Sequence, residues 1–290
     1  MAVYKRGYQR YQGPKSTHWT RFMVLPRFGW QRIFQQRLVV LLIVVSMIWP
    51  LLCAIFIYVS NHADLLKGLG PQFRSFIEVT GSFFIAFMTF QSSLAVVLAA
   101  ITGPGLIAPD VANNALPLYF SRPLTRSDYA LGRLVTLFGL LSLVTWIPGL
   151  ALFGMQVAMA SPEWVRVNWR FGFGIVAGFA LWILLVSLVA MASSAYARVK
   201  AVSGGLVLGF FFILSGLSGM INGIYRVTWG NALSPTWATS RIWYALLKVD
   251  PNTPRMEGPG VMPCALVLLS IMLLLVWVIE RKLRPVEVIA

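Results

Sequence analysis

The sequence predicts an all-α integral membrane protein with six transmembrane helices, on three observations. Hydrophobic residues make up 58% of the chain and charged residues only 11%, less than half of the roughly 25% that a soluble domain carries. Mean hydropathy is +0.75. The apolar residues gather into six runs, at 38–59, 76–101, 134–159, 171–195, 202–224 and 262–279, of about the 17–25 residues that cross a bilayer as a helix. None alternates with period two, so a transmembrane β-barrel is excluded. Residues 1–37 form a basic leading segment and residues 38–290 a single six-span domain.

Orientation follows from the connections. With the N-terminus inside, the inner segments hold sixteen of the 24 Lys and Arg residues. The three outer loops hold eight, and four of those are spread over the long loop before the last span. The excess on one side predicts that both termini are cytoplasmic, in the plasma (inner) membrane. A net charge of +15 does not point to nucleic acid, because the basic residues form no aromatic-studded groove. An anionic lipid surface fits that charge better.

Before the first span, residues 26–37 read as an interfacial helix. Trp30, Ile33 and Phe34 cluster on one side, with Arg27, Gln31, Arg32 and Gln35 on the other, the pattern of a helix lying in the headgroup plane. Phe28 lies off the apolar face, and a plain positive flank of the first span is the alternative. Cys53 and Cys264 fall in or beside apolar runs and behave as small core hydrophobes. Leu52 is too bulky for a lipoprotein cleavage box at Cys53. Residues 1–37 with no small-residue site after the first run argue against a cleaved signal peptide.

The spans hold few polar groups. Glu78, near the outer end of the second run, is the foremost intramembrane ionisable candidate; Gln91, Ser92, Ser93 and Gln156 are the other polar candidates. Helix-to-helix hydrogen bonds and a substrate path are the two readings of these residues. Gly205/Gly209 and Gly219/Gly223 have helix-packing spacing. In the outer loop, Ser234-Pro235 predicts a capped helix to about Lys248. Its Trp and Tyr residues either anchor the loop at the interface or cap a transport path.

Between the second and third runs lies a patterned hydrophilic island. Pro109-Asp110 is placed to start a helix, with Asp110 accepting first-turn N–H groups. Asn113, Asn114, Leu116, Tyr119 and Phe120 follow, and Ser121-Arg122-Pro123 stops the helix. Thr125 and Asp128 have the spacing of a capping box for the next span. A short rigid helix joined tightly to a spanning helix is what mechanical coupling needs.

The run Leu-Tyr-Phe-Ser-Arg-Pro-Leu-Thr-Arg at 118–126, with Tyr129, Gly132 and Arg133, resembles the motif of ABC-2 type permease subunits. Val111 and Ala112 stand where that family often has two basic residues. The resemblance implies a permease subunit of an ATP-driven exporter. Two permeases, identical or paralogous, would pair with two separate ABC ATPase subunits, with membrane lipids and accessory subunits as further partners. It implies that Leu116, Tyr119 and Phe120 dock on the ATPase, within a coupling set of Asp110, Asn114, Leu116, Tyr119, Phe120, Arg122, Arg126 and Asp128. Arg122 and Arg126 would pair with ATPase carboxylates or lipid phosphates, or serve as positive-inside anchors. No phosphate-binding loop occurs in the chain, so ATP and Mg belong to the partner and no cofactor is expected here. Val202-Ser-Gly-Gly-Leu206 is similar to the ATPase signature but begins an apolar helix. His18 and His62 fall in different compartments, so no metal or acid-base pair is expected. A non-transporting scaffold from the same family, or a membrane-embedded enzyme, are the alternatives; the enzyme would need convergent catalytic groups that the spans lack.

Overall fold

The computed structural model describes residues 23–62, 78–113, 115, 125–197, 199–250 and 256–283. The described residues are helical, and six helices are long and apolar enough to cross a membrane. Span 1 consists of α2 (Arg37–Ser46) and α3 (Ile48–Asn61), and span 2 of α4 (Gly81–Thr102) and α5 (Pro104–Ala112). Span 3 consists of α6 (Arg126–Val144) and α7 (Trp146–Met159). Spans 4, 5 and 6 are α9 (Arg170–Tyr196), α10 (Lys200–Tyr225) and α12 (Val261–Leu283). Among the described residues, three shorter α-helices lie between or before them, α1 (Val24–Phe34), α8 (Pro162–Asn168) and α11 (Pro235–Leu246), with a 3-10 helix at Trp229–Leu233. This is a multi-pass membrane protein.

Span 4 is the axis of the bundle. It packs against spans 2, 3, 5 and 6 and against α11, and 72% of its most apolar window is buried against 17% for span 5. Its sequence accounts for this, since small residues let neighbours approach closely. At Gly178 an added Cβ would meet the Trp243 indole and the Met88 methyl, and the Trp243 Nε1–H donates to the Gly178 carbonyl at 3.0 Å. Trp243 is therefore a core residue rather than an interfacial anchor, while Trp229 in the same segment between spans 5 and 6 is exposed. Ser234 caps α11 as expected, accepting from the Trp237 N–H at 3.4 Å.

Spans 1 and 3 are each broken near their middle, and prolines explain both breaks. Pro50 and Pro148 cannot donate to the carbonyls four residues earlier, Ser46 and Val144. Helix α2 ends at Ser46 and helix α6 ends at Val144. The second pieces, α3 and α7, pack on each other, and Asn61 Nδ2 donates to Gln156 Oε1 at 2.8 Å.

Span 2 departs from its expected end. Its helix runs from Gly81 through a turn at Gly103 to Ala112. These 32 residues would extend roughly 48 Å at about 1.5 Å each, against a hydrocarbon layer of about 30 Å. Asp110 is thus near the C-terminus of α5, not at the start of a helix. Pro104 occupies the first helical position. The side chain of Ser194 on span 4 accepts from the Ile107 and Ala108 N–H groups, at 3.2 and 2.9 Å. The early-turn donors are therefore satisfied well before Asp110, and from another helix.

The four helix-spacing glycines of span 5 touch no other span of the chain among the described residues. Gly205, Gly219 and Gly223 have no atom near a built Cβ, and Gly209 meets only its own helix. Contact with span 2 runs instead through Gly204, where a Cβ would press on the Ala100 carbonyl.

Candidate functional site

A buried ion pair lies where span 2 ends and span 3 begins. Asp110 sits in the last turns of α5, while Tyr129 and Arg133 are one turn apart in α6 and so share a face. Asp110 Oδ2 accepts from the Tyr129 hydroxyl at 2.7 Å and from Arg133 Nη2 at 2.5 Å. The Arg133 guanidinium also lies 5.2 Å over the Tyr129 ring. All three are buried. A buried pair contributes little net stability on its own, but removing one partner strands the other charge. The chemistry is therefore that of a clamp, which holds the last turn of span 2 against the first turns of span 3.

A second clamp lies at the other end of the connection. The Thr125 hydroxyl accepts from the Asp128 N–H at 3.1 Å, and the Asp128 carboxylate accepts from the Thr125 N–H at 3.0 Å and from its hydroxyl at 2.7 Å. This is the capping box that the spacing predicts. Arg126, in the first turn of α6, is exposed. Asn114, Leu116, Tyr119, Phe120 and Arg122, the remaining members of the expected coupling set, lie outside the described residues.

Helix α1 packs on α6 just beyond the clamp. Pro26, Gly29 and Ile33 form its buried stripe. Trp30 Nε1–H donates to the Thr136 carbonyl at 2.8 Å, and its ring occupies the space that a side chain at Gly139 would fill. Arg27, Phe28 and Phe34 are exposed. The inward face thus runs through Pro26 and Gly29 to Ile33, and Phe34 lies off it because a close helix crossing selects small residues over large ones.

Two of the candidate polar residues of the spans, Gln91 and Gln156, bond to other helices, while the Ser92 and Ser93 hydroxyls bond within their own. Gln91 is fully buried, and its Nε2 donates to both the Ser46 and the Val144 carbonyls, at 3.0 and 2.5 Å. These are the two carbonyls that Pro50 and Pro148 leave without a helical donor. The Ser92 hydroxyl donates to the Thr89 carbonyl in its own helix at 2.8 Å, and the Ser92 carbonyl accepts from Trp182 Nε1 at 3.2 Å. Gln156 accepts from Asn61. Glu78 is not within a span: it is exposed in the extended segment before α4, which begins only at Gly81.

Two features escaped the reading of the sequence. The pairing of Asp110 with Tyr129 and Arg133 was signalled only by one acid in an apolar stretch and an i, i+4 Tyr/Arg pair. The Gln91 bridge was signalled by a glutamine in a span facing two other spans that each carry a proline. No family model matches the chain, and no curated protein matches it.

Proposed function

We propose that the chain is the permease subunit of an ATP-driven ABC-2 type exporter, set in the plasma (inner) membrane with both termini cytoplasmic. Two such subunits, or one with a paralogue, would form the substrate path, and separate ABC ATPase subunits would supply ATP binding and hydrolysis.

The observation that carries the reading is the motif at 118–126 with Tyr129, Gly132 and Arg133, together with how its flanks are held. Tyr129 and Arg133 of the motif grip Asp110, and Thr125 and Asp128 cap α6. The connection between spans 2 and 3 is thereby tied at both ends to rigid helices. A displacement delivered to these ends would pass directly into spans 2 and 3. Helix α1, docked on α6 through Trp30, supports assignment of the leading helix as an interfacial elbow. Leu116, Tyr119 and Phe120 would be the docking knob, with Arg122 and Arg126 pairing with ATPase carboxylates or lipid phosphates.

The decisive experiment is a pull-down of the chain from its native membrane in nanodiscs, with mass spectrometry and an ATPase assay of the eluate. The reading expects a stoichiometric ABC ATPase, lost with Leu116→Asp or Tyr119→Asp. Elution with other partners and no ATPase would replace it with a non-transporting scaffold.

A further inference from the structure

Where span 3 begins and spans 4 and 6 end, a cavity of about 450 Å³ opens between α6, α9 and α12. That size falls within the roughly 300–1,000 Å³ of small-molecule sites. Ala130, Leu188 and Ile279 are among its apolar walls, and Arg126, Ser127 and Glu280 supply its polar groups. The polar groups share one end, because Arg126 and Ser127 open α6 and Glu280 lies near the close of α12.

The depth of that end in the membrane can be read from its neighbours. Arg281 lies 5.4 Å over the Trp277 ring and Lys282 lies 5.1 Å over the Tyr196 ring, and both rings are exposed. Exposed Trp and Tyr beside basic residues mark the level of the headgroups. The polar rim therefore lies among headgroups and the apolar walls lie among acyl chains. An occupant must match both: apolar in its body and charged at one end.

We propose that this cavity binds a phospholipid with an ethanolamine-type headgroup. Its phosphate lies on Arg126 and Ser127, its ammonium lies on Glu280, and one acyl chain fills the space between α6, α9 and α12. A guanidinium matches a phosphate through parallel N–H donors. Arg126 has no ion pair among the described residues, so its donors are available. A carboxylate offers about four acceptor positions, so Glu280 can accept an ammonium N–H beside its other interaction. A purely anionic headgroup would set its charge against Glu280, and a choline ammonium has no N–H to donate. The proposal rests on the six-span membrane architecture and not on the transport reading.

Native mass spectrometry tests it, on the full chain released from nanodiscs of equal parts phosphatidylethanolamine, phosphatidylcholine and phosphatidylglycerol. The expected result is one retained phosphatidylethanolamine, preferred by about tenfold. Ala130→Trp, which fills the cavity, should remove it. Arg126→Gln should weaken retention of every phospholipid, and Glu280→Gln should abolish the preference while a phospholipid is still retained. The two rim variants alter exposed side chains, so they report even if the tryptophan variant fails to fold. Equal retention of the three lipids by the unaltered chain would overturn the headgroup assignment. Retention unchanged by both Ala130→Trp and Arg126→Gln would overturn the site. Displacement of the lipid by soluble phosphoethanolamine would show a headgroup-only site and overturn the acyl-chain assignment.

Discussion

The Gln91 carboxamide donates to the Val144 carbonyl, the group that Pro148 leaves without its helical partner. The same nitrogen donates to the Ser46 carbonyl, which Pro50 leaves free in the same way. One side chain in span 2 thus satisfies the breaks in spans 1 and 3. In hydrocarbon no water can take that role, so the two proline breaks and Gln91 form one unit.

Gln91→Leu keeps much of the volume and strands both carbonyls. An unsatisfied buried group costs about 1–3 kcal/mol, while hydrogen bonds measured between membrane helices average only about 0.6 kcal/mol. We expect a total loss of about 1–3 kcal/mol, seen as a lower Tm in detergent. In a Pro50→Ala, Pro148→Ala background the helices recover their own donors, and the same change should cost much less. A loss of the same size in both backgrounds would detach Gln91 from the prolines.

Asp110 and Arg133 should behave as a buried pair. Asp110→Leu or Arg133→Leu alone leaves an uncompensated charge and should destabilise the protein by about 3–5 kcal/mol. The double variant should lie closer to the unaltered protein than either single one. A double-mutant cycle on denaturation in detergent checks this, and additive losses would rule the coupling out.

The cap at Thr125 should govern local rather than global stability. Thr125→Ala removes the acceptor for the Asp128 N–H and should cost about 0.5–2 kcal/mol of helix stability. Amide hydrogen exchange should quicken over residues 126–129 and stay unchanged in span 4. Faster exchange spread evenly along all six spans would contradict a local role.

Helix α1 should depend on its tryptophan. Trp30→Phe keeps an aromatic ring but loses the donor to the Thr136 carbonyl, a change of about 1 kcal/mol. Gly139→Leu fills the space that the indole occupies and should displace the helix outright. Limited proteolysis around Gln36, where the backbone leaves helical geometry, should accelerate modestly in the first variant and strongly in the second. Equal cleavage of both variants and the unaltered chain would mean that α1 is held elsewhere.

The six spans were legible because crossing hydrocarbon is a one-dimensional demand: enough consecutive apolar residues must be present, whatever surrounds them. Local chemistry was legible for the same reason. The Thr125–Asp128 box and the Ser234 cap involve residues three apart, so their spacing along the chain is their geometry. What is decided between distant segments could not be read this way. Whether Asp110 caps a new helix or closes an ion pair depends on Ser194 and Arg133, 84 and 23 residues away along the chain. Whether Gln91 faces a path or two broken helices depends on how spans 1 and 3 rotate around span 2. Composition and periodicity along the chain determined that this protein spans a membrane six times. Only the tertiary structure decided which of its few polar groups meet, because in an apolar medium each must find a partner and the partners come from other helices.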